Sequence, residues 1–170
     1  RRHISDNDIE RLIEVLRVPL NFEMAATKEM HTIALRHKPH AICIVPEKRE
    51  EKTTEGGLDV VREETYLADF ISPLRDVGSR VSIFVAADRK QIEAAYRIGA
   101  EVVELHTGAF CDFHISGCFD KCESELARMR DMAAFAHSLG LEVHAGHGIT
   151  FDTVKPIAAL PEVMELNIGH

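Results

Sequence analysis

The sequence predicts an α/β protein of the (β/α)8-barrel class, present as a fragment of about six βα units. Three observations predict it. Short apolar runs alternate with amphipathic segments along all 170 residues. No shift in composition marks a linker or a second domain. Polar side chains close nearly every apolar run: Glu23, Glu47, Asp88, Glu104 with His106, His144 with His147, and Asn167 with His170. A doubly wound sheet gathers ligand groups mainly at one switch point, whereas a barrel gathers them from the C-terminal ends of many strands. The pattern therefore favours the barrel.

The elements follow in order. Ser5 with Asp8 has capping-box spacing, and Ile9, Leu12, Ile13 and Leu16 then share one helical face. "PLNFEMA" reads as a short strand. Thr27 caps a helix over "TKEMHTIALRHK". "HAICIVPE" is a strand with almost no polar residue, as expected of one buried on both faces. "KREEKTTEGGLD" has no hydrophobic period and reads as a long polar loop. Leu67, Phe70, Ile71 and Leu74 mark the next helix face, followed by the strand "RVSIFVAA". Asp88 caps a helix that stops at Gly99. "AEVVELHTG" is a strand. "CDFHISGCFDKC" reads as loop and helix start, and the helix over "ESELARMRDMAAFAHSLG" ends at Gly140. "LEVHAGHG" is a strand, "DTVKPIAAL" a short helix, and "VMELNIGH" the last strand.

Six strands do not close an eight-stranded barrel. Residues 1–170 are read as a single domain lacking the first two strands and the last helix, which are expected before Arg1 and after His170.

The net charge of −8 disfavours nucleic acid and anionic membranes as partners. No apolar run nears the roughly 20 residues that span a bilayer. Nothing in the cysteine usage demands an oxidising compartment, so a cytoplasmic location is expected. Cys43 sits inside an apolar run and reads as a small core residue. Cys111, His114, Cys118 and Cys122 are zinc-compatible types, but no CxxC pair is among them and no metal is assigned. There is no phosphate-binding or dinucleotide glycine fingerprint. No lysine ends a strand, which counts against a Schiff-base aldolase.

The residues with chemistry sit at strand ends. A carboxylate in a barrel strand, as at Glu23, is costly to bury unless paired or functional, and burial moves it toward the range useful for proton transfer. A structural partner for an arginine is its alternative role. Glu104 occupies an equivalent place on another strand and could share a cavity with Glu23, or brace a neighbouring strand. His106 could be a similar strut or line the site. His147 lies between Gly146 and Gly148, which let a substrate approach the backbone, and imidazole exchanges protons near neutral pH. Gly169 and His170 stand where barrels often hold phosphate, if this strand is the eighth. The "EKTTEGG" loop could be a lid, with Thr53 and Thr54 turned to a substrate.

Taken together, "RRHI", "NFEM", "KPHAICIVPEKREEKTTEGGLD", "ELHTG", "AGHG" and "ELNIGH" resemble the pyridoxine 5′-phosphate synthase family of vitamin B6 biosynthesis, from the first residue to the last. The resemblance implies a (β/α)8 barrel assembled as a homo-octamer, without metal or organic cofactor. It implies condensation of 1-deoxy-D-xylulose 5-phosphate with 3-amino-2-oxopropyl phosphate, releasing phosphate and water. By motif, Glu23 resembles a proton acceptor, His147 the proton donor and Glu104 the transition-state stabiliser. His3 and Thr53 match positions for the deoxyxylulose phosphate; Gly148, Gly169 and His170 match positions for the aminoketone phosphate. The family's first-strand Asn-Asp-His cluster and second-strand histidine have no counterpart in residues 1–170, so this segment alone is expected to be inactive. Ala86 stands where the family usually carries an acidic residue, while Asp88 remains. Two other readings stay open: another phosphosugar barrel, such as an isomerase or aldolase, and an inactive truncated barrel serving as a structural or metal-binding module.

Overall fold

Among the described residues, six strands lie side by side in chain order, and every neighbouring pair is parallel. They are β1 (Asn21–Met24), β2 (Ala41–Ile44), β3 (Arg80–Val85), β4 (Val102–His106), β5 (Glu142–Gly146) and β6 (Val163–Asn167). Sequential parallel order with helical crossovers is the wiring of a (β/α)8 barrel, here as a curled six-stranded part of one. The computed structural model describes residues 4–169. The helices are α1 (Asp6–Val15), α2 (Lys28–His37), α3 (Glu64–Asp76), α4 (Arg89–Arg97), α5 (Gly108–Ile115), α6 (Phe119–Ser138) and α7 (Val154–Ala158).

The two faces of the sheet differ sharply. Successive strand residues point to opposite sides. On the outer side, Ile42, Ile44, Val81, Ile83, Val85, Val103, Leu105 and Val143 are fully buried. They pack with Leu67, Ile71 and Leu74 of α3, Ile92 of α4, and Ala133 and Ala136 of α6 in one core. The alternate residues form the interior side: Glu23, Cys43, Ser82, Phe84, Glu104, His144 and Glu165. The apolar core thus lies between sheet and helices, and the chemistry faces the barrel interior.

The caps are placed as the sequence predicts. Ser5 and Asp8 form a reciprocal capping box, Thr27 accepts from the Met30 amide, and Asp88 accepts from the amides of Lys90 and Gln91. Two expectations fail. Of the α1 face, only Ile9 is buried, while Ile13 and Leu16 are exposed. "CDFHISGCFDKC" is mostly helical, not loop: α5 holds Cys111, and α6 begins at Phe119 and holds Cys122. The reason is a second small core. Phe110, Cys111, Cys122, Met129, Ile149 and Ile157 are packed together, so α5 is covered on several sides and shows no amphipathic period. Among the described residues, the three cysteines and His114 do not gather into a set that could hold a metal ion. Cys111 lies beside Thr107 and Thr153, Cys122 beside the Phe110 carbonyl, and Cys118 is exposed.

Candidate active site

Glu104 is the centre of the interior face. It lies on β4 and is 6% exposed. Its Oε2 accepts from Asn167 Nδ2 at 2.6 Å and from Cys43 Sγ at 3.3 Å. Its Oε1 lies over Gly146, where a Cβ would collide with it and would meet Asn167 Cβ at 3.0 Å. Glycine at 146 is therefore required by the carboxylate's position. Burial pushes the Glu104 pKa up to about 7. The hydrogen bonds from Cys43 and Asn167 oppose that rise, and the carboxylates of Glu23 and Glu165 add to it. A carboxyl balanced there can hold or release a proton at neutral pH.

One residue past Gly146 stands His147, at the mouth of the barrel. Its φ is +84°, a left-handed conformation that costs a non-glycine residue roughly 1–2 kcal/mol. Thr107 holds it there: the Thr107 amide and hydroxyl both donate to the Gly146 carbonyl, at 2.9 and 2.8 Å, and the hydroxyl also reaches the His147 carbonyl. Strain maintained by surrounding contacts is common at functional sites. The His147 ring stacks on His106, with centroids 4.9 Å apart and planes 24° apart. Phe84 of β3 packs edge-on against His106 at 5.1 Å. Burial, reinforced by the neighbouring His147, pushes the His106 pKa down to about 4, so His106 is a neutral platform under an exposed His147. Gly108 is shaped by the same ring, since a Cβ there would come within 2.6 Å of it.

The polar loop between β2 and α3 is folded down over these strand ends. A 3-10 turn spans Arg49–Glu51, and Lys52 pairs with Leu58 in an antiparallel bridge. The Leu58 amide donates to the Phe84 carbonyl at 2.9 Å. Gly57 lies so close to the Val85–Ala86 backbone that any Cβ would collide with it, and Gly56 sits against the His106 ring. Glu55 at the tip forms an ion pair with Arg128 of α6. Thr53 is in the loop's turn, and its Oγ1 is buried without a protein hydrogen-bond partner. This orphaned hydroxyl lines a small cavity with Glu55, Ala86, Asp88 and Gln91 and is free to hydrogen-bond a ligand there.

The other expected residues are placed less tightly. Glu23 is on the interior side of β1 but exposed, not buried, because β1 is an edge of the described sheet. Gly148 follows His147 with φ +76° and is half-buried. Gly169 is exposed, and a Cβ there would meet nothing among the described residues. His3 and His170 lie outside the described residues. His144 is not at the mouth. It is 1% exposed, in mid-strand, with Nε2 2.7 Å from Glu142 and Nδ1 3.8 Å from Glu165. Among the described residues this trio could hold a metal ion, but Arg80 already bridges both carboxylates, at 2.8 and 3.3 Å. Asp88 serves as the α4 cap. Sequence reasoning missed Asn167 and Cys43 as partners of Glu104 and Arg128 as the anchor of the loop. Only the polar ending of β6 hinted at the first.

A family model described as pyridoxal phosphate biosynthesis protein PdxJ matches residues 1–170. The chain belongs to this family. Curated relatives named pyridoxine 5′-phosphate synthase agree with it over its whole length: 75% identity in Roseobacter denitrificans, 72% in Ruegeria pomeroyi and 57% in Caulobacter vibrioides. It spans 68% of the length of each. Solved structures share the fold at low identity. The EAL domain of FimX from Xanthomonas citri, in complex with c-diGMP, aligns with a TM-score of 0.61 at 10% identity, covering 92% of this chain and 62% of that one. A xylose isomerase domain protein from Planctomyces limnophilus aligns with a TM-score of 0.53 at 12% identity, over 85% of this chain and 61% of that one. No helix among the described residues is long and apolar enough to cross a membrane.

Proposed function

We propose that this PdxJ-family chain carries most of the active site of a pyridoxine 5′-phosphate synthase. The reaction joins the amine of 3-amino-2-oxopropyl phosphate to the ketone of 1-deoxy-D-xylulose 5-phosphate and closes a pyridine ring. Phosphate and water leave. Each stage moves protons, and none requires a hydride or an electron acceptor, so carboxylates and an imidazole suffice. The observation that carries the reading is a buried carboxyl poised near neutrality, Glu104 on β4, lying against Gly146, with a strained, exposed histidine, His147, one residue beyond that glycine.

In this reading Glu23 accepts protons from the edge of the interior, His147 donates them, and Glu104 stabilises charge as the transition state forms. Thr53, with His3, binds the deoxyxylulose phosphate. Gly148 and Gly169, with His170, offer backbone amides to the aminoketone phosphate. The loop over residues 48–57 shelters reactive intermediates from water, and its Glu55–Arg128 ion pair is the catch that opens. The complete protein works as a homo-octamer in the cytoplasm, and residues 1–170 alone do not turn over.

Variants of the complete protein test the roles. Glu23→Gln and His147→Asn should each slow phosphate release about a hundredfold to ten-thousandfold while the fold is kept. Unchanged turnover in either would remove that residue from the mechanism.

A further inference from the structure

A buried thiol touches the site carboxyl, and no step of the proposed reaction uses it. Cys43 is 2% exposed on β2 and faces the same interior as Glu104. It is separated from β4 by β3, just as Asn167 of β6 is separated by β5. Yet both donate to one oxygen, Glu104 Oε2, at 3.3 and 2.6 Å. In register, Cys43 lies beside Ser82 of β3 and Asn167 beside Gly146 of β5, while Phe84 and His144 flank Glu104. Gly146 leaves room for the other oxygen.

We infer that Cys43 and Asn167 are positioning residues that clamp Glu104 from two sides of the barrel and set the protonation state it presents to substrate. The role in turnover rests on the proposed reading of Glu104; the clamp itself does not.

The chemistry is consistent on both sides of the contact. Burial, and then the Glu104 charge, push the Cys43 thiol well up, so it stays protonated and acts as a donor. Its donation favours the charged carboxylate, as does that of the Asn167 amide. Against them stand burial and two carboxylates, Glu23 from β1 and Glu165 from β6. From β5 the facing titratable group is His144, held by Glu142; from β3, Arg80 is engaged by Glu142 and Glu165, and Phe84 carries no charge. The clamp therefore offsets part of the rise that burial imposes. A cysteine that merely fills space would leave that balance unchanged when replaced by alanine.

Infrared difference spectra of the complete protein across a pH titration read this directly. Glu104→Gln identifies the Glu104 carboxyl band, and Cys43→Ala identifies the Cys43 S–H band. The S–H band should shift with the same midpoint as the carboxyl. Cys43→Ala should raise the Glu104 midpoint by roughly half to one pH unit, the thiol being a weak donor, and Asn167→Ala by about one unit or more. Cys43→Ser keeps a donor and should leave the midpoint at or below its original value. An S–H band that stays fixed, or a midpoint unmoved by both alanine variants, overturns the clamp. The pH profile of kcat/KM should move in parallel with the midpoint. If the midpoint moves and the profile does not, the positioning role falls together with the catalytic reading of Glu104, while the contact stands.

Discussion

Replacing Glu104 by Gln should make the protein more stable at neutral pH while removing function. The carboxyl is held at about 7 in the fold, against 4.5 for an ordinary glutamate. Between those values the folded state keeps a proton that the unfolded state has released. Stability therefore falls as pH rises through this window. A shift of that size corresponds to about 3 kcal/mol, fully expressed above pH 7. Glutamine has no ionisation to penalise and keeps an oxygen to accept from Asn167 and Cys43. The stability difference between variant and wild type should thus grow by about 3 kcal/mol from pH 4.5 to about pH 8. In a chain of this size that is a change of roughly 6–12 °C in relative Tm. Urea or thermal melts at several pH values measure it, and taking the difference cancels every other titrating group. A difference flat to within about 0.5 kcal/mol would refute the claim that Glu104 is buried at the cost of its charge.

Other substitutions follow from the same geometry. His147→Gly should raise stability by about 1 kcal/mol in denaturant melts, because glycine adopts φ +84° without strain, and should abolish turnover; a loss of stability would contradict the strain. Gly146→Ala should destabilise by about 1–3 kcal/mol through collision with Glu104, and adding Glu104→Ala should recover part of that loss in a double-mutant cycle; strict additivity would refute the contact. His106 has a folded pKa of about 4 against 6.5 unfolded, so its contribution is present above pH 6.5 and lost as pH falls toward 4. His106→Phe should flatten the stability profile across that window, and an unchanged acid slope would count against a buried neutral His106. Arg128→Ala should free the loop tip and raise hydrogen exchange at residues 52–57 but not in β4; unchanged exchange would show that the Glu55 ion pair does not hold the loop.

The barrel was legible because its strands carry two signals at once. In "VVELHTG" and "LEVHAGHG" the outward residues are apolar and the inward ones are Glu104, His106 and His144, so each run is hydrophobic yet interrupted at period two. Caps at Ser5, Thr27 and Asp88 were legible because each is settled within three residues of chain. Helix α5 was not, because tertiary cover on several sides erases the amphipathic period on which such a prediction depends. Glu104 and His147 stood out as candidate site residues, but the partners of Glu104 did not. Cys43 and Asn167 lie 61 and 63 residues away, and only the curl of the sheet brings them to one oxygen. His144 was misplaced by its nearness to His147 in sequence. Three residues of strand are about 10 Å, enough to separate the barrel's mouth from its interior.

The most direct test is to mix the complete protein with 1-deoxy-D-xylulose 5-phosphate and 3-amino-2-oxopropyl phosphate and follow pyridine formation by absorbance and product mass. The expected result is pyridoxine 5′-phosphate with matching release of phosphate, lost in His147→Asn. A folded protein that binds both substrates and yields no pyridine product would contradict the proposed synthase activity.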